Sequence, residues 1–192
     1  YSVWGGANDL FAIAGGAPVQ ATIGNAVASE VGVVASLQNA GARYVMVTTI
    51  PDVGLTPRFR AGGATAMAQG TALAGSYNSA LFAGLKSAGL QVIPVDTFHL
   101  LQEVIASPST YGFSNSTGTA CQPQITAQSL TCNPTSYVSA DAADSYVFAD
   151  GIHPTGRTHE ILAQYALSIL EGPRLQQVLS HSAEVTGRSR AD

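Results

Sequence analysis

One short stretch, "RYVMVTTIP" at residues 43–51, indicates the fold class by itself. Its β-branched and apolar residues run together without the alternation of a half-exposed strand, and a proline ends the run. A run of this kind is typical of a strand buried on both faces, as in a parallel sheet covered by helices. The stretch therefore predicts an inner strand of an α/β protein.

The segments on either side of this strand extend the same pattern. Further strands are predicted in "YSVWGG" at 1–6, "QVIPVD" at 91–96 and "SYVFAD" at 145–150. Apolar residues recur at helical spacing over 18–40, 64–87, 97–106 and 155–170, and Gly172–Pro173 is expected to end the last helix. This alternation predicts an α/β domain with a parallel sheet and helices on both of its faces.

The composition of the chain limits the kinds of molecule that it is expected to bind. The chain has 192 residues with 46% hydrophobic content, which suffices for one domain with one sizeable core. Only 10% of residues are charged, the net charge is −4, and Lys86 is the single lysine. No basic stripe is present to neutralise phosphates, so nucleic acid is not an expected partner. No apolar run approaches the roughly 18 residues that a membrane-spanning helix needs.

Residues 107–144 differ from the rest of the chain. Ser, Thr, Asn, Gly and Pro dominate, which predicts a long irregular insertion, and both cysteines lie in it. We expect Cys121 and Cys132 to form a disulfide, because a polar loop with little apolar content gains most from a cross-link. The pairing and the scarcity of lysine fit an extracytoplasmic protein. The alternative is two free thiols in a cytosolic protein.

"DGIHP" at 150–154 contains a candidate acid–base pair, Asp150 and His153. A neutral imidazole accepts a proton from a hydroxyl nucleophile, and a carboxylate on its other nitrogen fixes the tautomer. The alternative is an aspartate that caps a helix beside a surface histidine. A metal site lacks support from any further cluster of ligands. The other histidines are expected at the surface: His99, His159 and His181.

Asn8 and Asp9 lie in a glycine-rich turn that is predicted to follow the first strand. A side-chain amide beyond a strand end can donate a hydrogen bond to a developing oxyanion. Gly5 and Gly6 would let the backbone turn tightly there. The alternative is an ordinary Asn-Asp turn. The glycines do not match a phosphate-binding loop.

"GAND" at 6–9 and "DGIHP" at 150–154 resemble the third and fifth sequence blocks of the SGNH (GDSL) hydrolase superfamily. Together, "VWGGANDLF", "IPDVGLTP" and "HPTGRTHEILAQYA" resemble more narrowly the GDSL esterases that autotransporters carry as passengers, over about residues 1–170. The resemblance implies a three-layer α/β/α sandwich with a parallel, flavodoxin-like sheet. It also implies hydrolysis of carboxylic esters by a Ser–His–Asp acyl-enzyme route, with no cofactor and no metal.

The same resemblance assigns roles to individual residues. Asn8 is the oxyanion-hole side chain, His153 the general base and Asp150 the carboxylate that orients it, while Gly6 has a backbone role. The family's "GDS" nucleophile block does not occur in these 192 residues, and neither does G-x-S-x-G. The resemblance therefore implies that the nucleophile, a second oxyanion glycine and the first strand lie upstream.

On this interpretation residues 1–171 are the C-terminal portion of an SGNH hydrolase domain, and residues 172–192 are a tail or linker. The sheet is then incomplete at the N-terminus, and the upstream segment or a second copy would cover the edge of strand 1–6. The parent is expected to be secreted or held at the cell surface, with a membrane β-barrel after the tail. Two alternatives stay open: a binding domain without catalysis, and a carbohydrate esterase or acyltransferase of the same superfamily.

Overall fold

The computed structural model describes residues 1–125 and 128–188 and contains a three-stranded parallel sheet. Its strands are β1 (Ser2–Val3), β2 (Met46–Thr48) and β3 (Ile93–Val95), in the order β1-β2-β3. Val47 pairs with Val3 on one side and with Pro94 on the other. The stretch at 43–51 therefore forms the middle strand, as its apolar run predicts.

Helices connect and cover the strands. They are α1 (Ala7–Ala14), α2 (Val19–Asn39), α3 (Pro57–Ala61), α4 (Gly63–Ser87), α5 (Thr97–Ala106), α6 (Ala142–Ser145) and α7 (Gly156–Arg188). One buried cluster joins α2 and α4 to β2 through Val34, Leu81 and Val47. A second joins α5 and α7 through Val104 and Ile161. The mixed α/β class with parallel strands is confirmed.

Two predictions about helices were wrong. Asn8 and Asp9 lie in the first turn of α1 rather than in an irregular turn, because Leu10 and Ile13 are spaced to bury one face of a helix. The last helix does not end at Gly172–Pro173 but continues to Arg188. Gly and Pro cost a helix interior about 1 and 3 kcal/mol, so they oppose a helix without forbidding one.

The segment at 107–144 is not wholly irregular. It contains β4 (Asn115–Thr119), which pairs in parallel with β5 (Tyr146–Phe148). The strand predicted near 145–150 therefore joins β4 rather than β1–β3. The β4 sequence "NSTGT" lacks apolar alternation, so its backbone pairing leaves no pattern in the sequence.

The remainder of this segment is held by the predicted cross-link. A disulfide joins Cys121 and Cys132, whose Cα atoms are 5.9 Å apart. Short 3₁₀ turns at Ser129–Thr131 and Pro134–Ser136 flank the second cysteine. Within the described part of the chain, no helix is both long and apolar enough to cross a membrane.

Candidate active site

The Asp150 carboxylate is held by four donors beyond the end of β5. Oδ1 accepts the backbone N–H groups of Ile152 (2.9 Å) and His153 (2.7 Å). Oδ2 accepts the backbone N–H of Ser129 at 2.7 Å and lies 2.8 Å from Nδ1 of His153. The side chain is 5% exposed, so these contacts fix both its position and its orientation.

The charge of Asp150 follows from these contacts. Burial raises its pKa, but the backbone N–H groups of His153 and Ile152, the His153 imidazole and the Ser129 N–H outweigh that effect and lower the pKa to about 2. The carboxylate is therefore ionised near pH 7 and can only accept hydrogen bonds. In the neutral imidazole, Nδ1 of His153 donates to this carboxylate, which leaves Nε2 as the acceptor.

His153 presents that acceptor outward. Its side chain is 57% exposed, and among the described residues no hydrogen bond reaches Nε2. The backbone below it is locked, since the His153 carbonyl accepts the N–H of Ala149 at 2.8 Å. Thr155 closes the turn with a 2.9 Å bond to the Val147 carbonyl. The pair can therefore take a proton from a hydroxyl group delivered to its open side.

Asn8 is exposed in the first turn of α1, and its side chain makes no hydrogen bond to the residues that the structure describes. The turn before it depends on Gly6, which has a φ of 89° and accepts the N–H groups of Asp9 and Leu10. A Cβ at Gly6 would overlap the ring of Tyr77, so only glycine fits this position. The Asn8 amide is thus free to donate to a ligand.

A buried pair below this turn supports it. The Tyr77 hydroxyl donates to Oε2 of Glu30 at 2.7 Å, and the two residues are 0% and 6% exposed. Burial raises the pKa of Glu30 against the opposing hydrogen bonds of Tyr77 and Gly5. Burial, together with Glu30, also raises the pKa of Tyr77, so the phenol stays protonated and donates. Sequence reasoning missed this pair, because neither residue belongs to a motif.

A basic residue connects α1 to the Asp150 turn. The Arg58 backbone N–H donates to the Gly151 carbonyl at 2.9 Å, and its guanidinium carbon lies 5.3 Å from the centre of the Phe11 ring. Phe11 also packs against Phe59, with ring centres 6.2 Å apart. α3 therefore connects α1, which carries Asn8, to the turn that carries His153. Both residues lie beyond the carboxyl ends of strands, where sites form in α/β sheets.

The remaining histidines were predicted at the surface. His99 and His159 are exposed. His181 lies in the part of α7 whose side chains the structure does not describe. His99 nevertheless has a carboxylate partner that sequence reasoning missed, since its Nδ1 lies 2.6 Å from Oδ2 of Asp96. Among the described residues, no three or more His, Cys, Asp or Glu side chains are grouped so that they could hold a metal ion.

The GDSL-like Lipase/Acylhydrolase family matches residues 1–166. Esterase EstA of Pseudomonas aeruginosa is 34% identical over 79% of the chain and 23% of its own length. Lipase 1 of Photorhabdus luminescens is 28% identical over 96% of the chain and 38% of its own length.

An uncharacterized Pseudomonas putida protein is 30% identical over 100% of the chain and 32% of its own length. The chain thus spans well under half the length of these relatives. The family match nevertheless covers Asn8, Asp150 and His153 together with the five strands that the structure describes. The chain belongs to the GDSL-like lipase and acylhydrolase family.

Proposed function

We propose that this chain carries the acid–base and oxyanion part of a carboxylic ester hydrolase. The observation that carries the proposal is the Asp150–His153 pair, with a buried ionised carboxylate on Nδ1 and an open Nε2. Membership of the family supports the reaction class, and the relatives described as an esterase and a lipase agree with it.

In the proposed reaction a serine hydroxyl attacks the ester carbonyl carbon while His153 Nε2 takes the hydroxyl proton. Asp150 stabilises the imidazolium that forms, and the Asn8 amide donates to the oxygen that becomes an oxyanion. The imidazolium then returns its proton to the departing alcohol. Water repeats the sequence on the acyl-enzyme and releases the carboxylic acid.

We further propose that the serine comes from a segment outside these 192 residues. Two observations support this: no "GDS" occurs in the sequence, and no hydroxyl among the described residues bonds Nε2 of His153. β1 is an edge strand of the described sheet, which is where an added strand would pair. The Cys121–Cys132 disulfide supports an extracytoplasmic site of action.

The test compares the chain alone with the chain plus the segment that precedes it in the gene, on a short-chain chromogenic ester. We expect no turnover by the chain alone and activity once the segment is added. A matched control carries alanine at that segment's candidate serine and should stay inactive. Turnover by the chain alone, abolished by changing one of its own serines, would show that the nucleophile lies within it. No turnover in any combination would favour a binding domain.

A further inference from the structure

Two apolar side chains project into solvent from the segment between the bonded cysteines. The structure describes this segment at residues 121–125 and 128–132. Leu130 is 91% exposed, the largest exposed fraction of any large apolar side chain among the described residues, and Ile125 is 60% exposed. An apolar side chain in water forgoes the free energy that burial would give it, so both gain from contact with an apolar surface.

The exposure of Leu130 follows from how its neighbours are held. The residue before it, Ser129, donates its backbone N–H to Oδ2 of Asp150 at 2.7 Å. Two residues after it, Cys132 is bonded to Cys121, which is 1% exposed. Leu130 lies in the 3₁₀ turn between these two attachments. The fold therefore fixes the backbone of this turn and presents the leucine outward.

The same attachment brings the leucine next to the candidate catalytic pair. Asp150 accepts the N–H of Ser129 and lies 2.8 Å from Nδ1 of His153, and both contacts are made by Oδ2. The His153 side chain is 57% exposed. One buried carboxylate thus holds both the exposed imidazole and the turn that displays Leu130. A surface that receives the leucine lies close to the imidazole.

The chain around these two side chains carries no charge. All 8 basic and 12 acidic residues, and all 4 histidines, lie outside residues 104–140. Anionic surfaces are recognised by lysine and arginine, which this stretch lacks. It also lacks charged groups that would lose their water on contact with hydrocarbon. The composition therefore fits a neutral, apolar surface better than a charged one.

We propose that Leu130 and Ile125 dock the protein on the surface of aggregated neutral esters, such as an emulsion droplet or a zwitterionic lipid layer. The inference rests on the proposed function, since docking there would hold the acid–base pair against its substrate. The two side chains enter the apolar layer, and the strength of such binding follows the apolar area that is buried. The disulfide and the Ser129–Asp150 hydrogen bond keep the docked turn in place.

Vesicles of a diether phosphatidylcholine test docking without catalysis, because ether-linked chains offer no ester bond. The chain, together with the segment that precedes it in the gene, is sedimented with these vesicles. Leu130→Gln and Ile125→Gln should each lower the partition coefficient about tenfold, since each removes an apolar side chain from the buried area. Leu167→Gln, at a position of α7 that is 55% exposed, is the matched control and should leave the coefficient unchanged. Ile125→Gln gives the answer if Leu130→Gln fails to fold.

Vesicles with added anionic lipid separate apolar docking from electrostatic attraction. We expect the partition coefficient not to rise with the anionic fraction and to persist in high salt, because the docking residues are uncharged. Binding that requires anionic lipid or disappears in high salt would overturn the proposal. Equal partition of Leu130→Gln and Leu167→Gln would also overturn it. Failure of the unaltered protein to bind neutral vesicles would overturn it in favour of a protein partner for these side chains.

Hydrolysis distinguishes failure of docking from failure of the proposed function. A short-chain triester, assayed below and above its solubility limit, supplies the dissolved and the emulsified substrate. Leu130→Gln should lower the ratio of the emulsion rate to the dissolved rate about tenfold relative to the unaltered protein. An unchanged ratio contradicts docking alone. Vesicle binding that depends on Leu130, without hydrolysis of either form, contradicts the esterase function alone.

Discussion

Two Asp-x-x-His turns of this molecule share their local geometry and differ in their surroundings. Asp96 and His99 follow β3, and Asp150 and His153 follow β5. In each turn Oδ1 of the aspartate accepts the histidine's backbone N–H, at 3.1 Å and 2.7 Å respectively. In each turn Oδ2 lies close to Nδ1, at 2.6 Å and 2.8 Å. Four residues are thus enough to build the pair.

Their surroundings distinguish the two carboxylates. The Asp96 side chain is 45% exposed, whereas that of Asp150 is 5% exposed. Asp150 also accepts the N–H of Ile152 and, from the loop closed by the disulfide, the N–H of Ser129. A buried carboxylate with fixed donors is preorganised, while an exposed one is screened and mobile. Distant residues therefore turn a common local motif into a candidate catalytic pair.

The largest expected difference between the two turns is in catalysis. In the form of the protein that carries the nucleophile, His153→Ala should lower kcat/KM for a short-chain ester by roughly 10³-fold or more, because members of a triad act as a unit. The same change at His99 should leave kcat/KM close to its unaltered value. Steady-state kinetics on the two variants, with circular dichroism as the folding check, measures the contrast. Near-normal turnover by His153→Ala would refute its role as the base.

A smaller effect is expected at Asn8, which α3 connects to the Asp150 turn. Asn8→Ala should lower kcat by roughly 10²-fold with little change in KM, because an oxyanion donor acts mainly in the transition state. The matched control is Asn39→Ala, at an exposed position at the end of α2. An equal loss in both variants, or a loss confined to KM, would contradict an oxyanion role.

Much of this organisation could be predicted from sequence, and the exceptions have physical reasons. The inner strand β2 leaves a continuous apolar run in the sequence, and the helix α4 leaves apolar residues at helical spacing, so the existence and type of both were predicted. The pairing of β4 with β5 was missed, because backbone hydrogen bonds between a polar strand and its neighbour leave no such pattern. Pro173 was given too much weight as a helix stop.

The candidate site likewise contains residues that could be predicted from the sequence and residues that could not. Motif resemblance selected Asp150, His153 and Asn8, since each lies in a short motif of consecutive residues. Ser129 escaped notice because it acts through its backbone N–H, and a backbone donor has no residue type to recognise. Asp96 and His99 have the same Asp-x-x-His spacing, but they were not predicted to pair. Their exposure, which the sequence does not reveal, distinguishes this pair from Asp150 and His153. Burial and long-range contacts are therefore what sequence reasoning lacked here.

Removal of the disulfide should affect the turn that contains Asp150 and leave the turn that contains Asp96 unchanged. Replacing Cys121 and Cys132 by serine should lower the free energy of unfolding by about 2–3 kcal/mol on the chain-entropy view. It should also raise the pKa of Asp150 from about 2, because the Ser129 donor is no longer held against Oδ2. Urea denaturation measures the first effect, and carboxyl carbon NMR titration measures the second.

The control is internal to the same spectra, since the carboxyl resonance of Asp96 should not move. Thiol titration of the unaltered protein, unfolded without reductant, should find no free thiol. Two thiols would show that the cysteines are not bonded in solution. An unchanged Asp150 titration in the double variant would show that the loop holds Ser129 in place without the cross-link.

The smallest expected effect is on the free energy of unfolding at acid pH. It compares the two carboxylates directly. The pKa of Asp150 is lowered from 3.8 to about 2 in the folded protein. The ionised carboxylate therefore stabilises the fold at pH values above 3.8, and this contribution disappears as the pH falls toward 2. The shift corresponds to about 2 kcal/mol. Urea denaturation of the unaltered chain and of Asp150→Asn, at pH 5 and near pH 2, measures this contribution. The difference in stability between the two proteins should shrink by about that amount at the lower pH.

Asp96→Asn is the matched control, because it makes the same change in the turn with the same local geometry. Its carboxylate is 45% exposed, and exposed ion pairs contribute about 0–1 kcal/mol to stability. Equal pH dependence in the two variants would mean that the added donors of Asp150 do not stabilise its charge. A larger dependence at Asp150 would show that the donors Ser129 and Ile152 add to the stabilisation that the Asp-x-x-His motif itself gives the carboxylate.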